Sequence, residues 1–217
     1  MTIPHTLHQI WIGPDPLPAE YAAYTEGWRQ LHPDWEYRLW TEDALPVMRN
    51  RDLYDRAEEL VPEHSVWQFR SDVLRYEVLW SYGGLYVDVD FECLQNVEHL
   101  LGEAEAVAAW EAQDRWVNNA ILGAEPGHPF IDRLITGLPA SVEHHRGLRP
   151  NISTGPQYLT GLWRRHRDEL TVLPQALFYP YSYADVGTPK EHGPWPGAVA
   201  VHHWANRRRT IARGGQR

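Results

Sequence analysis

Two adjacent glycines, Gly83-Gly84, followed by Leu85-Tyr86-Val87-Asp88-Val89-Asp90, constrain this chain more than any other stretch. Ahead of them, residues 65–82 carry Val66, Phe69, Val73, Tyr76 and Trp80 at alternating steps of three and four, which predicts a helix with an apolar stripe. Asp72 and Arg75, three apart, are neighbours on an adjoining face. Helix exits commonly need positive φ, which glycine adopts freely, so the glycine pair ends the helix. Residues 85–90 then alternate as a strand. Tyr86, Asp88 and Asp90 share one face, and Leu85, Val87 and Val89 the other. Two carboxylates on one face at the end of an apolar strand repel each other and cost desolvation energy. A divalent cation offsets both costs. Carboxylate oxygens suit Mg²⁺ or Mn²⁺, whose shells are usually completed by phosphate and water.

Around this stretch the chain alternates between strands and helices. Residues 7–12 form an apolar run closed by Gly13-Pro14, a first buried strand. Pro18 opens a helix over 18–31, and 35–40 alternates as a second strand. Thr41-Glu42-Asp43 offers a helix cap, and 51–60 is also predicted helical. Buried strands are predicted at 104–110 and 117–123, and helices at 130–138 and after Gly155-Pro156. The region 174–197, rich in Pro, Gly and Tyr, predicts an irregular loop able to act as a lid. Residues 199–201 give a last short strand that delivers His202, His203 and Trp204. This order predicts an α/β fold with a largely parallel open twisted sheet, flanked by helices, in one domain over 1–206. Ligands of such sheets sit beyond the carboxyl ends of strands, where Asp88 and Asp90 lie.

Charge narrows the partners. The net formal charge is −9, yet the last eleven residues hold five arginines and no acid, so residues 1–206 carry −14. An acidic body argues against nucleic acid as the main partner. The basic stretch 207–217 predicts a solvated, flexible tail. Eleven Trp and eleven Tyr supply flat surfaces that can stack on sugars and bases. Cys93 is the single cysteine, which excludes a disulfide framework and a thiolate metal site. Neither a signal peptide nor a run of transmembrane length is visible, and a cytoplasmic location is expected.

Other clusters carry less chemistry. His5-x-x-His8 on a strand would point its imidazoles to opposite faces, and His144-His145 lacks a third ligand. No glycine-rich phosphate loop is present. For Asp72 and Arg75, spacing leaves two readings open: an intrahelical ion pair, or a carboxylate and guanidinium that bind sugar hydroxyls beside a metal.

Several islands carry a family resemblance. They are Ser71-Asp72-x-x-Arg75 with Gly83-Gly84-x-Tyr86-x-Asp88-x-Asp90, and the opening Ile3-Pro4-x-x-x-x-His8-Gln9-Ile10-Trp11-Ile12-Gly13. Asn119-Ala120 with Gly127-His128-Pro129, the Thr154-Gly155-Pro156 turn and the late His202-x-Trp204 complete them. Together they resemble glycosyltransferase family 32 and its relatives with a sugar-binding region containing the DXD motif. Those include Golgi mannosyl-, galactosyl- and N-acetylglucosaminyltransferases, bacterial capsule enzymes and glucosylating toxin domains. The resemblance implies a GT-A type, Rossmann-like domain that binds a nucleotide-sugar through a divalent cation. Trp11 would then stack on the base, and Asp72 and Arg75 would hold donor-sugar hydroxyls. Tyr86 and Asp88 would contact ribose or sugar, with Asp88 reaching the metal directly or through water. Asp90 would be the direct ligand, and His202 (or its neighbour His203) a late one. Asn119 would face the donor sugar, and the Trp204 indole would donate to the diphosphate or the glycosidic oxygen. An imidazole ligand favours Mn²⁺ over Mg²⁺.

The implied activity is retaining transfer of a hexose from a UDP- or GDP-linked donor to a hydroxyl of a glycan, lipid-linked or small-molecule acceptor. The compact length and missing anchor suggest a soluble enzyme of bacterial type. Two rival readings are an Asp-x-Asp phosphohydrolase and a non-catalytic nucleotide-sugar binding protein. The first needs its pair on the first strand ahead of a Ser- or Thr-bearing loop, whereas Phe91-Glu92-Cys93 follows here. The second is disfavoured by an intact set of acids, arginine and histidine.

Overall fold

The computed structural model of the chain describes residues 2–205, 207, 208 and 211. The first half contains β1 (Thr6–Ile10), α1 (Ala19–Leu31), β2 (Glu36–Trp40), α2 (Arg51–Asp55), α3 (Ala57–Leu60), α4 (Val66–Tyr82), β3 (Gly84–Val87), β4 (Phe91–Cys93) and α5 (Glu98–Leu101). The second contains β5 (Ala106–Ala112), β6 (Trp116–Ala124), α6 (Pro129–His144), α7 (Pro150–Ser153), α8 (Pro156–Trp163), β7 (Thr171–Leu173), α9 (Gln175–Phe178) and β8 (Ala200–His202).

The central sheet runs β2-β1-β3-β6-β5-β7, and β4 pairs with β8 in a separate two-stranded ribbon. β1 is parallel to β2 and β3, and β5 is parallel to β7, while β6 is antiparallel to both β3 and β5. The sheet is therefore mostly parallel, as the alternation of elements predicts. Its one reversal follows from the β5–β6 hairpin, where Asp114 takes the positive φ (59°) that tight turns need.

A sheet covered on both faces needs apolar residues on both sides of each strand. Tyr86, Ala106, Ala108 and Leu122 face one core with α4, α6 and α8, and Leu85, Val87, Val107 and Ala109 face a second core with Trp28, Phe91 and Phe178. Helix α4 is buried beyond its predicted stripe: Asp72, Leu74, Arg75, Glu77, Val78 and Leu79 are buried as well. Its polar residues therefore need partners inside the protein.

The glycine pair does two jobs. Gly83, at φ 63°, closes α4 by donating its N–H to Leu79 O at 2.9 Å. Gly84, at φ 93°, passes so near β1 that a Cβ would lie 2.5 Å from Thr6 O. His8 fixes this crossing: its Nε2 donates to Gly83 O (2.8 Å) and its Nδ1 accepts from Trp40 Nε1 (3.1 Å). Burial pushes His8 down to about 4, so the neutral ring that this pattern requires is the stable form.

Three expectations are corrected. Helix α6 runs to His144 and does not stop at 138, although Pro139 lies inside it. Proline leaves the carbonyl four residues back without its helical donor. Here that carbonyl, Ile135 O, accepts from Asn50 Nδ2 at 3.0 Å, and Asn50 is itself held by Glu77. The region 174–197 is not irregular throughout: it contains α9 and buries Phe178, Tyr179 and Tyr181 in the second core. The third correction, at residues 88–90, belongs to the site. Among the described residues no helix is long and apolar enough to cross a membrane. Of the basic stretch 207–217, Arg208 reaches Glu191 (2.6 Å) and Arg207 covers the Tyr183 ring (5.1 Å); most of the remainder lies outside the described residues.

Candidate active site

Strand β3 stops at Val87, so alternation along a strand does not place Asp90. Asp88 N still donates to Ala120 O of β6 (2.8 Å), but Phe91 N turns back to Asp88 O (3.1 Å), and Asp90 rides on that turn. The end of the chain pins it there. Asp90 O accepts from His203 N (2.9 Å), and Asp90 Oδ2 from Ala205 N (2.8 Å). The β4–β8 register sets Phe91 opposite His202, which brings His202 Nε2 to 3.1 Å from Asp90 Oδ1. Asp88, Asp90 and His202 each offer one ligand atom, all within 4.8 Å of one another. The predicted pair thus converges, through a turn and a ribbon instead of a continuous strand.

His202, and not His203, faces the aspartates. His203 Nε2 bonds Glu92 Oε2 (2.9 Å) and its ring stacks on Tyr24 at 4.9 Å. Burial alone would raise Asp90 and lower His202. Their mutual attraction outweighs it, holding Asp90 down at about 2 with help from Ala205 N–H, and lifting His202 above its ordinary value. Asp88 goes up: burial and the Asp90 charge outweigh Arg75. Two hard carboxylates and one imidazole, already convergent, fit a divalent cation.

This geometry carries a pH signature. A ligating imidazole must be neutral, whereas His202 beside Asp90 holds its proton to higher pH than usual. Mn²⁺ binding is expected to release a proton and to tighten as pH rises, by up to about tenfold per unit while His202 remains protonated. Calorimetry in two buffers of different ionisation enthalpy reads the proton count. No release at pH 6 would contradict the His202 assignment.

Beside the acids lies a buried polar network. Arg75 bridges Asp72 Oδ1 (3.1 Å) and Asp88 Oδ1 (3.2 Å), donates to Asn119 O (2.7 Å) and lies over the Tyr86 ring at 4.5 Å. The Asp72 and Arg75 side chains are only 3% and 5% exposed, so theirs is no solvated helix pair. Asp72 also accepts from Asn119 Nδ2 (2.9 Å) and Thr154 Oγ1 (2.7 Å). Burial pushes it up to about 6, against the pull of Arg75, Thr154 and Asn119. The Thr154-Gly155-Pro156 turn closes on this carboxylate: a Cβ on Gly155 would lie 3.3 Å from Asp72 Oδ2 and 2.9 Å from Asn151 Cα. Tyr86 donates its hydroxyl to Asp88 Oδ1 at 2.5 Å, tying the network to the Asp88–Asp90–His202 cluster.

Three residues with implied roles have polar groups engaged within the protein. Asn119 is buried, and its amide nitrogen donates to Asp72 Oδ1 (2.9 Å) and Tyr76 Oη (3.0 Å), so it helps to hold Asp72. The Trp204 indole N–H donates to Tyr181 O (3.3 Å), and the ring stands edge-on to His202 at 4.3 Å. Trp11, half-buried just past β1, donates to Asp15 O (2.8 Å) and meets Tyr21 edge-on.

Sequence reasoning missed Glu111 at the end of β5, whose Oε2 accepts from Asn118 Nδ2 (2.8 Å), and Tyr179, whose ring lies against His202. An acid directly after an apolar strand was the available signal for Glu111, the same one that marks Asp88. Tyr179 had none, because its place depends on how the 174–197 region packs.

A mostly parallel sheet with acids at the end of a central strand and a returning histidine is the arrangement of a GT-A type glycosyltransferase fold. Solved structures agree. The PaToxG glycosyltransferase superposes with a TM-score of 0.65 at 15% identity, covering 76% of this chain and 69% of that one. The galactosyltransferase LgtC, in complex with donor and acceptor sugar analogues, gives 0.54 at 13% identity over 97% and 95%. Residues 18–107 match the family described as glycosyltransferase sugar-binding region containing DXD motif. Inositol phosphoceramide mannosyltransferase 2 of Schizosaccharomyces pombe is 31% identical over 180 residues, 77% of this chain and 48% of that protein. The chain spans about half the length of these curated relatives.

Proposed function

We propose that the protein is a metal-dependent, retaining hexosyltransferase that uses a UDP- or GDP-linked sugar and delivers it to a hydroxyl of a glycan, lipid-linked or small-molecule acceptor. The observation that carries this reading is the convergence of Asp88, Asp90 and His202 beside the buried Asp72–Arg75–Asn119 network. Asp88, Asp90 and His202 would hold the cation, which when bound supplies positive charge against the diphosphate of the donor. Arg75, fixed by four partners, adds a guanidinium whose charge needs no reorganisation as the leaving group gains negative charge. Trp11 would offer a ring to the base. The fold-related mannosyl- and galactosyltransferases support a hexose donor.

Retention is proposed to proceed by same-face attack of the acceptor hydroxyl. Asp72 has both carboxylate oxygens engaged by Arg75, Asn119 and Thr154, which disfavours it as a covalent nucleophile. A product of inverted configuration would overturn this part.

A thermal-shift panel of UDP- and GDP-sugars, each with and without Mn²⁺, tests the whole reading. A ligand at 100 times its Kd stabilises the native state by about 2.7 kcal/mol. For a chain of this size that is about 5–10 °C. The best donor with Mn²⁺ should reach this range and exceed metal or nucleotide alone. If no nucleotide-sugar shifts melting in the presence of metal, the proposal fails.

A further inference from the structure

Residues 203–205 form a turn that aims two backbone donors at Asp90, and the turn is strained. His203 N donates to Asp90 O (2.9 Å) and Ala205 N to Asp90 Oδ2 (2.8 Å), one on either side of Trp204. Trp204 takes φ 52°, a left-handed backbone that a bulky side chain adopts only at a cost. Such a conformation persists where the surroundings over-determine it. Contacts outside the turn therefore have to hold it.

Arg208 is placed to do so. Its backbone N donates to Trp204 O (3.1 Å), and its guanidinium reaches three separate parts of the chain. Nε lies 2.6 Å from Oε1 of Glu191, in the 3₁₀ turn Pro189–His192, and Nη1 lies 3.4 Å from Glu20 Oε1 on α1. Glu191 is itself buried, and its other oxygen accepts from Gly187 N (2.6 Å), so this anchor is fixed. Arg208 Nη2 lies 3.2 Å from His203 Nδ1. A guanidinium only donates, so Nδ1 accepts and the ring proton sits on Nε2, which donates to Glu92 Oε2 (2.9 Å). Helix α1 closes the circuit: Tyr24 donates to the same Glu20 Oε1 (2.9 Å) and stacks on the His203 ring (4.9 Å). A single half-exposed ion pair contributes little. Here one guanidinium fork serves three partners, and Arg208, Glu20, Tyr24 and His203 form a ring of contacts that ties the strained turn to α1.

We propose that Arg208 is a positioning residue for the candidate site: it clamps the turn 203–205 onto α1 and the 189–192 turn, and so keeps both amides on Asp90. The Asp90 carboxylate is thereby held where it meets His202. The consequence for a cation rests on the metal-centre reading above, whereas the clamp itself does not. The role involves no contact between Arg208 and the ion.

Amide exchange in the metal-free full chain, resolved by ¹⁵N NMR, tests the clamp. In Arg208→Ala the His203 and Ala205 amides should exchange at least about tenfold faster, while those of α4 and β3 keep their protection. Mn²⁺ alone, titrated into the same protein and read by the EPR signal of the free ion, tests the consequence. Its affinity should fall by about three- to tenfold, the dilution expected once the competent turn is no longer the dominant state. Unchanged exchange at His203 and Ala205 would overturn the inference. So would faster exchange with wild-type Mn²⁺ affinity, which would leave Arg208 a contact of the fold alone. Should Arg208→Ala lower metal-free melting by more than about 5 °C, Glu20→Gln takes its place. It should give smaller changes of both kinds, and the absence of either would overturn the inference. A wild-type chain that binds no Mn²⁺ would overturn the metal reading; binding by the wild type with no effect of Arg208→Ala would overturn this inference alone.

Discussion

Asp90→Asn is expected to lower sugar transfer by at least about 100-fold while the fold survives. The substitution keeps the shape of the side chain, and its amide oxygen can still accept from Ala205 N, the bond that ties the chain end to the turn. What it removes is the negative charge. Asp90 is the more firmly ionised of the two aspartates, held down at about 2, so on the proposed metal reading Asp88 does not replace it. Asp88, pushed up and already shared with Arg75 and Tyr86, is a poor substitute. Donor turnover and Mn²⁺ affinity should fall together, and metal-free melting should change little. Near-normal transfer by this variant would refute the assignment of Asp90.

Arg75→Ala is expected to act on the fold itself. The guanidinium is the shared counter-charge of two carboxylates, Asp72 and Asp88, and it also satisfies Asn119 O and Ser71 O. Removing one partner of a buried ion pair leaves an uncompensated charge, at a cost of about 3–5 kcal/mol. For a chain of this length that is a fall of about 6–20 °C in melting temperature. Asp72→Asn should cost less, because Asp72 is already pushed up to about 6 and its neutral form is within reach. A loss below about 1 kcal/mol in Arg75→Ala would mean that the network is solvated and contributes little to stability.

The sequence made much of this legible, for reasons that can be located. The helix over 65–82, the glycine exit and the acids at a strand end are local patterns, and each appears within a residue or two of its predicted place. The partners of those residues are not local. Asp72 and Arg75 could be read as a surface pair because nothing in a helix reveals that Thr154 and Asn119 will close over it. Alternation put Asp88 and Asp90 on one face for the wrong reason: the turn at 88–91 replaces the strand, and β8 restores the convergence. Pro139 misled the reading of α6 because its unpaired carbonyl is satisfied by Asn50, remote in sequence. Glu111 and Tyr179 escaped notice for the same reason, since their meaning lies in what faces them.

The β4–β8 ribbon has a consequence for the order in which this protein matures. Asp72, Arg75, Asn119 and both aspartates leave the ribosome well before His202, and the backbone donor that pins Asp90, Ala205 N, lies 115 residues after it. A nascent or prematurely terminated chain therefore carries these residues without the imidazole that meets Asp90 and without the latch on its carboxylate. On the proposed function, turnover of donor should require the ribbon to close, late in synthesis.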